Sequence, residues 1–402
     1  MGGLDSTSMS TYLDHAATTP IRPVARDAVL AQMARVGNPS SLHSAGRAAR
    51  RVLEESREAV ADALGARPSE VIFTSGGTES DNIALLGSYL AARQADPVRD
   101  RVVLSGMEHH AVLDAATHLA DTSGARLTFV EPGECGTIEV DAVRAAVEED
   151  PASVAVVSVM WANNEVGTVQ DVAAMARLCH EHAIPFHTDA VQVAGHLPVD
   201  FAAVETDTLA VSGHKFGGPT GVGVLLARRD ARLVPTSHGG GQERSLRSGT
   251  VAVAGIAGLA AALTEAVGEI ETEAARVAAL RDRFLTRARE IDPSIRVSGC
   301  WEVGDITRRL PGNAHITIPG CDGDSLLYLL DAAGVEVSTG SACQAGVPQP
   351  SHVLLAMGRS EEETRGSLRV SLGWTSTEAD VDAALSALPD AVDRARRASG
   401  AA

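Results

Sequence analysis

Lysine is almost absent from this sequence: of 34 lysine and arginine residues, 33 are arginine and one is Lys215. Arginine can replace lysine as a surface cation, but its guanidinium stays protonated and cannot act as an amine nucleophile. A chain that writes arginine nearly everywhere therefore keeps its one lysine for chemistry. Positive charge is scarce overall, the net charge being −18, which argues against direct binding to a nucleic-acid backbone. The five cysteines, Cys135, Cys179, Cys300, Cys321 and Cys343, form no CxxC pair and no His/Cys cluster of zinc-like spacing. Neither a bound metal nor a disulfide framework is expected. We read no signal peptide and no apolar run long enough to span a bilayer, and the leader MGGLDS reads as flexible sequence rather than a lipidation signal. These absences predict a cytoplasmic protein with free thiols and no membrane contact. A Walker motif and a dinucleotide-binding fingerprint are missing as well.

What is present is enough chain, 402 residues with 45% apolar content, to bury a large core. From residue 68 to 228 the runs VIFTS, RVVLS, LTFVE, VAVVSVM, IPFHTDA, TLAVSG and VGVLLAR alternate with longer amphipathic stretches. That alternation predicts an α/β fold with a mostly parallel seven-stranded sheet. Residues 252–290 lack proline throughout and glycine after Gly268, and carry helical periodicity, so helices are expected to lead out of the sheet. Beyond Pro293 the segments IRVSG, NAHITIP and SLRVSLG predict a smaller α+β C-terminal unit. The expected division is a large domain over 20–262 and a small one over 263–402 that includes segment 11–19.

Chemistry-bearing residues gather where the strands end, the place where open α/β sheets bind ligands. In FTSGGTESDN, Gly76, Gly77 and Thr78 can offer backbone N–H groups and a hydroxyl to an anion. The plain alternative is a turn in which Ser75 or Thr78 caps the helix. PFHTDAVQ ends a strand on Asp189, ahead of Lys215 in VSGHKFGGP. A carboxylate to pair with a protonated ring nitrogen and a lysine to form a Schiff base are the two protein groups a pyridoxal phosphate enzyme needs; a capping aspartate is the alternative. An amine with an ordinary pKa near 10.4 must be desolvated or held beside positive groups to react, and His214, Arg244 and Arg247 are candidates for that field. His109, in SGMEHHAVLD, could lie flat on a cofactor ring or be solvated. Cys343 sits in VEVSTGSACQAGVPQP, small and glycine-punctuated sequence that suits a loop. The ordinary role of a free cysteine as a buried hydrophobe suits the other four but fits Cys343 badly. Arg369, in SLRVSLG, suits a bidentate grip on a substrate carboxylate, or is an exposed strand residue.

The segments YLDHAATTP, GNPSSLHSAGR, FTSGGTESDN, EHHAVLD, WANNEVGTVQ, HTDAVQ, SGHKFGGP, HGGGQERSLRSGT, STGSACQAG and SLRVSLG resemble, in order, the signature segments of pyridoxal-phosphate cysteine desulfurases of the NifS/IscS branch, in the class V aminotransferase family. The resemblance runs from about Tyr12 to beyond Gly373. It implies a fold-type I homodimer in which Lys215 holds pyridoxal 5'-phosphate, Asp189 pairs with the pyridine nitrogen, Gln192 bonds the ring hydroxyl and His109 stacks on the ring. It implies that Gly77, Thr78, Ser212 and His214 hold the phosphate together with Thr250 of the partner subunit. Asn164 would lie beside cofactor and substrate, and Arg369 and Asn38 would bind the carboxylate of L-cysteine. Lys215 would then move the α-proton, and Cys343 would take the sulfur as a persulfide, releasing alanine. The acceptor that follows is left open between iron-sulfur cluster assembly, tRNA thiolation and a dedicated thiolation pathway.

Overall fold

The computed structural model describes residues 10–340 and 350–400. Cys343 lies outside the described residues, as does most of the leader. A two-residue strand, β1 (Thr11–Tyr12), opens the described chain. The next seven, β2 (Val71–Thr74), β3 (Arg101–Ser105), β4 (Arg126–Val130), β5 (Val154–Ser158), β6 (Phe186–Asp189), β7 (Thr208–Ser212) and β8 (Gly223–Ala227), form one sheet. Its order is β2-β8-β7-β6-β5-β3-β4, with β8 antiparallel to both neighbours and all other pairings parallel. Every position of β2, β3, β5, β6, β7 and β8 is buried, while β4, at the edge, is partly exposed. Burial on both faces is why the sequence shows unbroken β-branched runs here instead of alternation. The expected seven-stranded, mostly parallel sheet is what the chain forms.

Where several helices were expected after the sheet, there is a single one of 39 residues, Val253–Ile291, about 58 Å long at the α-helical rise. Its first half buries Ile256, Leu259 and Leu263 in the core that also holds Leu209 and Val211. Its second half buries Val277, Phe284 and Leu285 in a separate core with Leu13, Ile316 and Val370. By length and composition this helix could cross a membrane, contrary to the expectation that no run was long enough. Alanine and glycine supply much of its low polarity, and half of its most apolar window is buried inside the protein. Two cores thus account for its apolar side chains.

The second core lies under a three-stranded antiparallel sheet of β9 (Arg296–Val297), β10 (Asn313–Thr317) and β12 (Ser367–Ser371), in the order β12-β10-β9. A further strand, β11 (Val335–Glu336), pairs in parallel with β1. The N-terminal segment is therefore tied to the C-terminal layer, where Ser371 N donates to Leu13 O at 2.8 Å. Within a few residues it crosses to the main sheet, where Thr19 N donates to His214 O at 3.1 Å. That crossing carries Ala16 and Ala17 past the strand ends.

Candidate active site

A cavity of about 590 Å³ opens at the C-terminal ends of β2, β3, β5, β6 and β7. Lys215 reaches it from the turn Gly213–Lys215 that follows β7. Its Nζ donates to Ala16 O at 2.7 Å and Ala17 O at 2.8 Å. Burial, and then the charge of Arg369, lower its pKa to about 8, so that roughly a tenth of the amine is free base at pH 7. The sequence candidates for the activating field are replaced by this one arginine, from β12. His214 is itself lowered to about 4, by burial and then by Lys215, and is neutral. Arg244 donates to Ala227 O and Arg228 O, and Arg247 is paired with Glu79.

Asp189, the last residue of β6, is buried, and its Oδ1 accepts from Val191 N at 2.8 Å. It closes its own turn and also faces the cavity. Desolvation, with the neighbouring Asp81 carboxyl, raises its pKa to about 7. Asp81 Oδ1 lies 3.2 Å from His187 Nε2, and His187 Nδ1 lies 2.9 Å from Thr208 Oγ1. Burial holds the His187 ring at about 4 and Asp81 well above the usual carboxylate range. Asp189 thus has mostly neutral groups behind it, and a cation arriving from the cavity side would return it to the ionised form. His109 caps the helix His110–Ser123 by accepting from Ala111 N at 3.1 Å through Nδ1. In the neutral ring, which burial favours, the proton therefore sits on Nε2.

The cavity is also lined by a helix start that suits an anion. The helix Gly77–Ala95 has Gly76 as its cap, with no side-chain cap bond, which removes the simple capping alternative. The amides of Gly77 and Thr78 are left without intrahelical acceptors at the positive end of the helix dipole. Glu79, in the same turn, accepts from Ser75 N at 2.5 Å and Arg247 Nε at 3.0 Å. Burial pushes its pKa up, but these bonds outweigh burial and keep it low. Ser212 and His214 line the cavity too, with His214 Nδ1 3.2 Å from Thr18 Oγ1.

Arg369 enters from β12 and is buried, not the exposed strand residue the sequence also allowed. Its Nη2 donates to Asp14 Oδ1 at 2.8 Å and its Nη1 to Asn164 O at 3.0 Å. Its buried Nε has no partner among the described residues. The side chains of Asn164 and Gln192 line the same cavity, Gln192 Nε2 donating to Ala16 O at 3.1 Å. Asn38 and Thr250 are not brought there: in this protomer both line a separate cleft of about 90 Å³, and Asn38 Oδ1 closes its own turn by accepting from Ser40 N at 2.9 Å.

Sequence reasoning missed the groups that brace the site. Asp14 and the Ala16 and Ala17 carbonyls come from YLDHAATTP, a segment that showed resemblance but gave no role. Asn163 is buried, and its Oδ1 accepts from Glu165 N and Val166 N at 2.8 and 2.9 Å. It folds the turn that presents Asn164. Asp81 could only have been found by its pairing with His187 across 106 residues. Burial as hydrophobes holds for Cys179 and Cys321; Cys135 is instead exposed and Cys300 half-buried.

Pyridoxal phosphate has an anionic group, an aromatic ring with a basic nitrogen and an aldehyde. The cavity offers free helix amides, a carboxylate lacking a cation, and one amine of lowered pKa. The residues present fit that group. The chain also matches the family described as Aminotransferase class-V over residues 11–384. It is 55% identical over 392 residues, 97% of this chain and 98% of the relative, to the IscS-like cysteine desulfurase of Mycobacterium tuberculosis. It is 40% identical over 391 residues, 97% of this chain and 94% of the relative, to cysteine desulfurase IscS of Methanosarcina thermophila. The crystal structure of a NifS-like protein from Rickettsia africae is similar with a TM-score of 0.84 and 30% identity, covering 96% of this chain and 99% of that one.

Proposed function

The chain belongs to the class-V aminotransferase family and is a pyridoxal-phosphate-dependent cysteine desulfurase, and from that premise we propose how its residues divide the work. The observation that carries the assignment is the single lysine, half-buried with a pKa of about 8, in one cavity with a buried carboxyl at about 7. Lys215 holds the cofactor, Asp189 pairs with its ring nitrogen, Gln192 bonds its hydroxyl and His109 lies against the ring. Gly77, Thr78, Ser212 and His214 hold its phosphate, joined by Thr250 of the partner subunit in a homodimer. Bound there, pyridoxal phosphate supplies an electron sink for charge at the substrate α-carbon.

The remaining chemistry belongs to the chain. Arg369, whose Nε has no partner among the described residues, binds the carboxylate of L-cysteine, and Asn164 lies beside it; Asn38, in its separate cleft, has no part in that grip within one protomer. Lys215, neutral once desolvated, accepts the α-proton at Nζ. The Cys343 thiolate attacks the substrate sulfur, so that an S–S bond forms as the C–S bond breaks and alanine leaves. The persulfide then passes to an acceptor for iron-sulfur cluster assembly or other thiolation, which we place in the cytoplasm. The long helix Val253–Ile291, shared between two cores, supports a division into residues 20–262 and residues 263–402 with 11–19.

The test is the visible spectrum of wild type, Lys215→Ala and Cys343→Ser, with alanine and sulfide assayed in the same tubes. Wild type should be yellow and yield both products from L-cysteine. Lys215→Ala should lose the band, and Cys343→Ser should keep it while losing sulfide release. Unchanged turnover in Cys343→Ser would point to a different lyase or transaminase on this fold.

A further inference from the structure

Cys135 lies in the connection between β4 and the helix Val140–Glu148, and Cys300 follows β9 in the small domain. They are 165 residues apart in sequence, yet one hydroxyl bridges their backbones. Thr168 Oγ1 donates to Cys135 O at 2.7 Å and accepts from Cys300 N at 3.4 Å. The Cys300 sulfur lies 3.6 Å from Thr137 Oγ1, two residues beyond Cys135. Its own position is fixed by Gly299, whose φ is +82° and where an added Cβ would stand 2.5 Å from Val166 O. The neighbouring Cys300 side chain, ahead of burial, pushes the Cys135 thiol above its ordinary pKa. Cys135 is exposed, so a small reagent can reach the pair.

We propose that Cys135 and Cys300 form a redox-modification site that closes reversibly to a disulfide joining the edge of the large sheet to the small domain. With both backbones already held by the Thr168 hydroxyl, an S–S bond of about 2.05 Å needs side-chain rotation rather than a different fold. The co-reactant is a low-molecular-weight disulfide. The Cys135 thiolate attacks one of its sulfurs, forming a mixed disulfide and releasing one small thiolate. The Cys300 thiolate then attacks the Cys135 sulfur, forming the protein disulfide and releasing the second. The two cysteine protons end, through solvent, on the two released thiolates, so that the two cysteines are oxidised and the small disulfide is reduced to two thiols.

The bond would form beside the site already described. Thr168 lies in the same hairpin as Asn164, closed by Asn163 N donating to Thr168 O at 3.0 Å. Arg309, buried, donates to Cys300 O at 3.1 Å and to Asn313 O at 2.8 Å, and Asn313 Nδ2 donates to Asn164 O at 3.3 Å. The pair therefore marks a covalent link by which redox state can hold the small domain against this hairpin.

The experiment incubates reduced wild-type holoenzyme with oxidised glutathione, alkylates the remaining thiols with N-ethylmaleimide and maps the peptides by mass. The expected result is a Cys135–Cys300 cross-linked peptide, lighter than the reduced pair by two hydrogens and reversed by dithiothreitol. Cys300→Ser should abolish it and leave a lasting glutathione adduct on Cys135. A lasting adduct on Cys135 in wild type, alkylation of both thiols, or a cross-link of either to a different cysteine would overturn the proposal. The wild-type map decides this whether or not the variant folds.

Discussion

Replacing Arg369 by glutamine should remove two effects that its position combines. The first is the grip on the substrate carboxylate. A hydrogen bond to a charged group contributes about 1.5–3 kcal/mol, so its loss should lower kcat/KM for L-cysteine by about 10- to 150-fold. The second is electrostatic, because after burial the Arg369 charge is the largest influence holding Lys215 near 8. Removing a positive neighbour favours the protonated amine, so the Lys215 pKa should rise, and each unit of rise cuts the free-base fraction at neutral pH by about tenfold. Steady-state alanine production measures the first effect, and the pH dependence of pyridoxal phosphate uptake by apoprotein measures the second. Uptake should move to higher pH in Arg369→Gln. Arg369→Lys keeps a charge near Lys215 and should leave uptake close to wild type while still losing the bidentate grip. Activity within about twofold of wild type in the glutamine variant would refute the carboxylate role, and an unshifted uptake profile would refute the coupling to Lys215.

Three further outcomes follow from the same geometry. The Asp189 carboxyl is raised to about 7 against about 3.9 when unfolded, so the folded apoprotein binds more protons between those values and its stability should fall as pH rises through them. Urea titrations across that window should show Asp189→Asn flattening the decline, with turnover lost. Burial also holds the Asp81 carboxyl well above the usual carboxylate range, so it too takes up a proton on folding, and Asp81→Asn should likewise flatten the decline. Dimers mixing a Lys215→Ala subunit with a Thr250→Ala subunit should regain up to one working site, although each homodimer is impaired; no recovery would mean that Thr250 does not act across the subunit boundary.

Much of the chemistry was legible in the chain because it depends on residue type. One lysine among 33 arginines, an aspartate ending β6, and glycines opening a helix after β2 each announce a function that no substitute residue can supply. The sheet was legible for a related reason: strands buried on both faces must be written in apolar, β-branched runs. The long helix was read as several because periodicity marks a helical face but not where the helix stops, and its continuity comes from packing on two cores. Long-range electrostatics were not legible at all. Arg369 affects Lys215 because β12 brings them to one cavity, whereas Arg247, nearer in sequence, is neutralised by Glu79. Cys135 and Cys300 looked like unrelated core residues until the turn at Thr168 joined them. The sequence by itself determined which groups can react. The tertiary structure decided which charges and thiols those groups meet, because such interactions fall off over a few ångströms of space regardless of how far apart the residues lie in the chain.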